Sequence, residues 1–350
     1  MRLGTGLSLA AAAAWYPPGR EYLADMLACG RLTAQDAEGL GVNEVPVADE
    51  PAPDLAVRAG REALVQAGYP AERIGLLVHA WTWHQGHDFW SPAHYVASRL
   101  GARKALPFGV QQMCNAGAAG LGVAAARLLA DPDTESALVT TADNFARPGF
   151  DRWAGDYSVV YGDAGTAALL GRPEDAPAGG LVLRALAYAT AAEFEVMYRG
   201  NDPFSPAPLW HSPHVDVRRT KKAYLAANDG MGHFQDVASR CVLDVVNRAL
   251  ADADLAPDDP RIRLIALPRL SDSVLDLMYV SVLEGRVAGK VLRLREGSGH
   301  LGAGDMVANI AAVDAAGLLD DDEIGLFVGG GGGFTWSCAV VHRPPEGWQG

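Results

Sequence analysis

Cys114 lies in the stretch Gln111-Gln112-Met113-Cys114-Asn115-Ala116-Gly117, between a strand-like run at 105–110 and an Ala/Gly-rich helical run at 116–130. That spacing puts a thiol at the mouth of a strand-to-helix turn. Unpaired N–H groups and positive partial charge at a helix N-terminus favour a thiolate over a thiol. A thiolate there can attack a thioester carbonyl, and neighbouring backbone N–H groups can hold the oxyanion that forms. Taken alone, the segment fits a small buried core cysteine equally well. A second stretch, Val328-Gly329-Gly330-Gly331-Gly332-Gly333-Phe334-Thr335-Trp336-Ser337-Cys338, is a poly-glycine turn feeding a strand. Five successive glycines lose much backbone freedom on ordering, which suits a place where another backbone comes close. Apolar strands on both sides make a flexible linker a poor alternative.

Together with Tyr161-Gly162-Asp163-Ala164-Gly165-Thr166-Ala167-Ala168-Leu169-Leu170, these segments resemble the thiolase superfamily, and most of all ketoacyl-ACP synthase III and its relatives. The resemblance covers nearly the whole chain, from an opening strand at 3–9 to a last strand ending at Val341. It implies an α/β fold of five αβαβα layers with two pseudo-duplicated halves: 1–172 with the nucleophile, and 173–350 with the base and the glycine turn. It also implies a homodimer, with no permanently bound cofactor and with acyl-CoA or an acyl carrier protein as donor. The oxyanion hole of the family maps to the N–H groups of Cys114 and Gly332.

The condensing relatives use a Cys-His-Asn triad in which His and Asn stabilise the enolate left by decarboxylation of a malonyl unit. Their histidine segment corresponds here to Leu267-Pro268-Arg269-Leu270-Ser271-Asp272, which has none. Counting back from Phe334-Thr335-Trp336, their asparagine position falls on His300 without a gap, in Gly299-His300-Leu301-Gly302-Ala303-Gly304-Asp305. A histidine near the thiol with a carboxylate to orient it is general-base machinery. Cys114, His300 and Asp305 are therefore expected to form a triad for simple acyl transfer. On local sequence alone, His300 also fits a solvated loop and Asp305 a helix cap. The pattern resembles synthase III homologues dedicated to antibiotic biosynthesis. It implies transfer of a short acyl group, malonyl among the candidates, to a hydroxyl of a secondary metabolite. The alternatives are a priming ketosynthase for a polyketide starter, an inactive assembly partner, which Cys114 argues against, and a thioester hydrolase.

Anionic thioester carriers call for basic and aromatic residues along their route. Arg152 and Trp153 lie near the family's donor-tunnel arginine, three residues early. Arg218-Arg219-Thr220-Lys221-Lys222 is the densest basic cluster, fitting CoA phosphates or an acidic carrier as well as a solvated helix start. The Pro-rich segment 202–213 with Trp210, His211 and, just beyond, His214 reads as a substrate loop. Roles for His84, His87 and His233 stay open, and His84-Gln85-Gly86-His87 lacks the ligand pattern of a metal site.

The elements that must carry these residues alternate between strand and helix. Strand-like runs fall at 74–79, 136–142, 181–189, 263–267, 291–295, 325–328 and 335–342, with helical ones at 91–100, 236–254 and 306–316; 158–170 reads as a strand pair around Gly162-Asp163. Such alternation implies parallel sheets covered by helices. The chain has 350 residues, 49% of them hydrophobic, with 29 basic against 42 acidic residues and a net charge of −13. That balance argues against nucleic acid and against an anionic membrane surface as partners. Cys29, Cys114, Cys241 and Cys338 form no CxxC pair, and a working thiol points to a reducing cytoplasm. Residues 7–14 look superficially like the core of a signal peptide, but Leu3-Gly4-Thr5-Gly6 before them reads as a core strand. No stretch is expected to reach the ~18 apolar residues of a membrane span.

Overall fold

A computed structural model describes residues 1–172, 180–227 and 229–347. The strands are β1 (Arg2–Trp15), β2 (Gly19–Tyr22), β3 (Glu44–Val47), β4 (Leu76–Ala80), β5 (Leu106–Val110), β6 (Ser136–Asp143), β7 (Ala164–Gly171), β8 (Leu181–Thr190), β9 (Ile262–Ala266), β10 (Lys290–Leu292), β11 (Ile324–Gly331) and β12 (Thr335–His342). All but β2 and β3, which pair with each other, join in the order β10-β9-β11-β12-β8-β1-β7-β6-β4-β5. Outward from the central β8·β1 contact, each five-strand run repeats one pattern: first, fifth, fourth, second and third strand of its half. The expected boundary between halves falls at 173–179, outside the described residues.

The principal helices are α1 (Ala52–Gln66), α2 (Pro92–Leu100), α3 (Ala116–Ala130), α4 (Val217–Ala226), α5 (Gly230–Asp252) and α6 (Asp305–Ala315). Helices α3 and α6 form a middle layer: Leu121, Ala124 and Leu128 of α3 and Val307, Ile310 and Val313 of α6 share one buried cluster with strands of both five-strand runs. Helices α1 and α2 cover the outer face of β1, β4, β6 and β7, while α5 covers that of β8, β9, β11 and β12. The layers are thus αβαβα, as expected. Each fully buried leucine in them contributes about 1.5–3 kcal/mol relative to exposure.

Several sequence expectations change. The alanine-rich 7–14 stretch is the interior of β1, paired with β7 on one side and β8 on the other. Met113–Ala130 is, by length and composition, apolar enough to cross a membrane, contrary to expectation; it is the largely buried middle-layer helix with its approach turn. Residues 158–170 are no strand pair. Only β7 is a strand there, because Asp163 is fully buried and accepts hydrogen bonds from the backbone of Ala48 and Phe145, so the chain runs on instead of turning back. Three of the five glycines belong to β11, with Gly329, Gly330 and Gly331 opposite Ser337, Trp336 and Thr335. Helix α1, with Leu55, Ala56, Ala59 and Ala63 buried, was not among the sequence expectations.

Candidate active site

The two middle-layer helices begin at the same place, and each is preceded by one expected catalytic residue. Cys114 ends a short turn between β5 and α3, where Met113 takes a left-handed φ of 49°. That conformation is costly for a side-chain-bearing residue and is typical of over-determined functional turns. Asn115, next to the thiol, is buried; its side chain donates to Gln112 and accepts from Ser337 Oγ at 2.6 Å, tying the nucleophile turn to β12. A Cβ on Gly331 would collide with the backbone N of Asn115 and crowd that of Cys114, so the glycine run is where the β11–β12 backbone lies against the Cys114 turn. A Cβ on Gly117 would likewise strike the carbonyl of Ala303, which shows how closely α3 meets the loop that carries His300.

His300 is 2% exposed, and its Nδ1 lies 2.7 Å from Asp305 Oδ2. Its backbone is clamped between Val160 O and Gly162 N at 2.9 Å each. Burial alone would push the imidazole's pKa down; the Asp305 carboxylate, the charge of Cys114 and hydrogen bonds to both outweigh it and hold the imidazole well above its ordinary value. For Asp305 burial pushes up, but His300, the Leu301 N–H at 2.8 Å and the nearby Arg269 charge bring its pKa below the usual carboxylate range. The same carboxylate accepts the Arg269 N–H at 2.7 Å, and Asp305 also begins α6 while holding the His300 imidazole. Asp305 thus holds one side of the imidazole, and Cys114 lies close enough to raise its pKa.

The segment lacking a histidine explains itself. Arg269 turns inward, is 3% exposed and bonds Asn309 at 2.9 Å and Ser298 at 2.6 Å, while Leu270 faces the cavity. Sequence reading missed this buried arginine as a support of Asp305. It also missed Asp143, at the end of β6, which accepts the N–H groups of Thr82, Trp83 and Ala303. A carboxylate at a strand's C-terminal end was the available signal.

Cys114 and His300 open into a cavity of about 250 Å³ whose walls are largely aromatic and thioether side chains, including Met197, Tyr198, Phe234, Phe334 and Trp336. Gly331 and Gly332 line it beside the thiol. Several expected donor-binding residues sit elsewhere. Arg152 is 5% exposed and forms a bidentate pair with Asp163 at 2.8 and 2.9 Å, and Trp153 is buried with its indole N–H on Glu21; both are committed inside the protein and cannot reach a carrier's phosphates. Lys221 faces the cavity, not the surface: its ammonium lies 2.6 Å from Asp156. Arg218, Arg219 and Lys222 line a separate surface groove with Arg147 and His214; there Arg218 pairs with Asp36 and Arg219 with Asp202. Trp210 and His211 are exposed and do not line the cavity, nor do His84, His87 and His233.

The chain is similar to several known proteins. The family model for 3-oxoacyl-[acyl-carrier-protein (ACP)] synthase III matches residues 108–186, from β5 through the Cys114 turn to β8. A beta-ketoacyl-[acyl-carrier-protein] synthase III of Paramagnetospirillum magneticum is 24% identical over 314 residues, covering 88% of this chain and 89% of its own. Among solved structures, the acyltransferase ChlB3 is 30% identical with a TM-score of 0.86, covering 97% of this chain and 98% of its own. The synthase III (FabH) of Pseudomonas aeruginosa superposes with a TM-score of 0.76 at 21% identity, over 97% of this chain and 99% of its own, a likeness of fold.

Proposed function

The chain belongs to the thiolase superfamily, among its ketoacyl-ACP synthase III-like enzymes, and from that premise we propose that it is an acyltransferase that forms an ester without decarboxylative condensation. The observation that carries this reading is the Cys114–His300–Asp305 relay, with Leu270 at the cavity where the condensing relatives place their histidine segment. The thiolate attacks the donor's thioester carbon, the carbon–sulfur bond to the carrier breaks, and His300 gives its proton to the departing thiolate. The N–H groups of Cys114 and Gly332 stabilise the oxyanion of each tetrahedral intermediate. An acceptor hydroxyl then attacks the acyl-enzyme and passes its proton to His300 as the Cys114 sulfur leaves. Asp305 fixes the imidazole tautomer through both steps.

The acyl group is short, to fit about 250 Å³, and the acceptor is a hydroxyl of a secondary metabolite, in keeping with the ChlB3 likeness. The groove of Arg147, Arg218, Arg219 and Lys222 is our site for the phosphates of CoA or for an acidic carrier protein. We place the enzyme in the cytoplasm, where free thiols persist. It acts as a homodimer joined through the free edge of β5, where Leu106 and Phe108 are exposed. A priming ketosynthase is the second reading, since the family includes condensing synthases.

Incubation of the protein with acyl-CoA donors, read by intact-protein mass, should give an adduct at Cys114 that Cys114→Ala abolishes. With malonyl-CoA, carbon dioxide should not be released in step with product. Stoichiometric carbon dioxide would establish condensation and overturn the ester-forming reading.

A further inference from the structure

The cavity beside Cys114 has one polar pole in an otherwise apolar wall. Lys221 projects from α4, 8% exposed, with Nζ 2.6 Å from Asp156 Oδ1 and 4.6 Å from the ring centre of Tyr198. Asp156, 2% exposed, is engaged on both oxygens: Lys221 and the Tyr157 N–H bind Oδ1, and the Tyr161 hydroxyl binds Oδ2 at 2.6 Å. The pole lies close to the chemistry on two sides. The Tyr161 ring that ends on Asp156 packs edge-on against His300, with ring centres 5.1 Å apart, and the Tyr198 ring presses on Gly332.

Two consequences follow from the donor count and the charges. An ammonium has three N–H donors, of which Asp156 takes one, and the Tyr198 hydroxyl proton has no acceptor among the described residues. Donors on both side chains thus remain, and donors lining a cavity want an oxygen. The charges, meanwhile, already cancel. Lys221 is the only lysine or arginine among the described cavity-lining residues and is matched by Asp156; behind the wall, Asp305 is matched by buried Arg269. An acyl group ending in a carboxylate would bring an uncompensated charge into a desolvated site, which is expensive.

We propose that Lys221 and Tyr198 form a recognition subsite for the transferred acyl group, which takes an uncharged acyl unit carrying a hydroxyl or carbonyl oxygen and disfavours one ending in a free carboxylate. The assignment rests on the acyltransferase reading above and names its acyl class: malonyl, the short acyl group singled out from sequence, is the wrong charge for this cavity.

Three donors of matched size separate the possibilities: 3-hydroxybutyryl-CoA, butyryl-CoA and malonyl-CoA, each at low concentration, with the rate of adduct formation at Cys114 followed by intact mass. The wild-type protein should load 3-hydroxybutyryl roughly tenfold faster than butyryl, the worth of a hydrogen bond to a charged donor, and malonyl slowest. Lys221→Met should level the first two rates. Because that variant strands the Asp156 charge, Lys221→Met/Asp156→Asn keeps the cavity neutral and should level them as well while remaining folded. Asp156→Asn alone leaves Lys221 uncompensated and should raise malonyl loading at least about tenfold relative to wild type. Malonyl loading fastest in the wild type, or a hydroxybutyryl preference that survives both Lys221 variants, would overturn the subsite. No adduct at Cys114 from any donor would overturn the acyltransferase reading itself.

Discussion

The two halves of the molecule build the same loop, the one before their middle-layer helix, and give it different work. Before α3 stands Cys114, the nucleophile of our proposal, and before α6 stands His300, its base. The Cys114 turn is short and shaped mainly by backbone, a left-handed Met113, a helix N-terminus and glycines that let β11 lie against it, with the Asn115 side chain as its one tie to β12. The base loop is placed by side chains: Asp305 on the imidazole, Arg269 beside Asp305, and Asp143 on the Ala303 N–H. The difference follows from the chemistry. A thiolate needs only a positive field and a clear line to the carbonyl, both of which a helix end supplies. A general base must also present the right nitrogen, and a tautomer is set only by a hydrogen-bond partner.

Breaking each loop should therefore fail in its own way. The largest effect is Cys114→Ala, for which acyl loading should disappear entirely by intact mass; an adduct at full rate would place the nucleophile elsewhere. His300→Ala should split the reaction, letting Cys114 still load while transfer to the hydroxyl falls by ~10²–10⁴-fold. The acyl-enzyme should then accumulate when donor and acceptor are both present. Normal turnover in that variant would remove His300 from the chemistry. Asp305→Asn should slow transfer through the imidazole's tautomer, with an unchanged far-ultraviolet spectrum showing that α6 still forms.

This asymmetry also decides what the sequence discloses. The Cys114 turn is legible because its determinants are contiguous: strand, short turn, Ala/Gly-rich helix. The five-layer order follows from alternating strands and helices together with the family likeness. His300 and Asp305 both became readable through their register to the glycine run and the family segment it matches. Arg269, Asp143 and Asp156 stayed hidden, because the contacts that give them their place, Arg269 with Asp305, Asp143 with Ala303 and Asp156 with Lys221, span 36, 160 and 65 residues of chain. The basic run at 218–222 misled for a simpler reason. A helix turns adjacent residues about 100° apart, so one cluster in sequence divides between the cavity wall at Lys221 and the surface at Lys222.

Asp143 tests whether the side-chain scaffold of the base loop can be loosened without touching the triad. Burial pushes its carboxyl up to about 7, against the pull of three backbone N–H groups. Below that pH a proton on one oxygen weakens its hold on the Ala303 or the Thr82 and Trp83 N–H groups, so the transfer rate should fall as pH drops through about 7. Asp143→Asn should be slower throughout but lack that limb. Stability runs the other way. The folded protein binds this proton more tightly than the unfolded chain, so Asp143's contribution is present below about pH 4 and is lost as pH rises through about 7. The Tm difference between wild type and Asp143→Asn should narrow over that range, and a parallel offset at every pH would contradict the assignment.

The smallest effect lies at the surface and sharpens the contrast within one helix. Lys222 faces the groove with its ammonium 5.4 Å from the Tyr157 ring centre, and neither it nor Arg147 forms an ion pair among the described residues. Both are exposed, so their pull on an anionic donor is long-range, weak and screened within about 8 Å at physiological salt. Arg147→Glu/Lys222→Glu should raise the donor KM roughly three- to tenfold at low salt, leave kcat alone, and lose most of its effect near 0.5 M salt. Lys221→Met should instead alter which acyl group loads, with little dependence on salt, because its charge is met inside the protein by Asp156. If the surface pair changes acyl preference, or the Lys221 effect disappears with salt, the division of that helix between acyl recognition and donor docking is wrong.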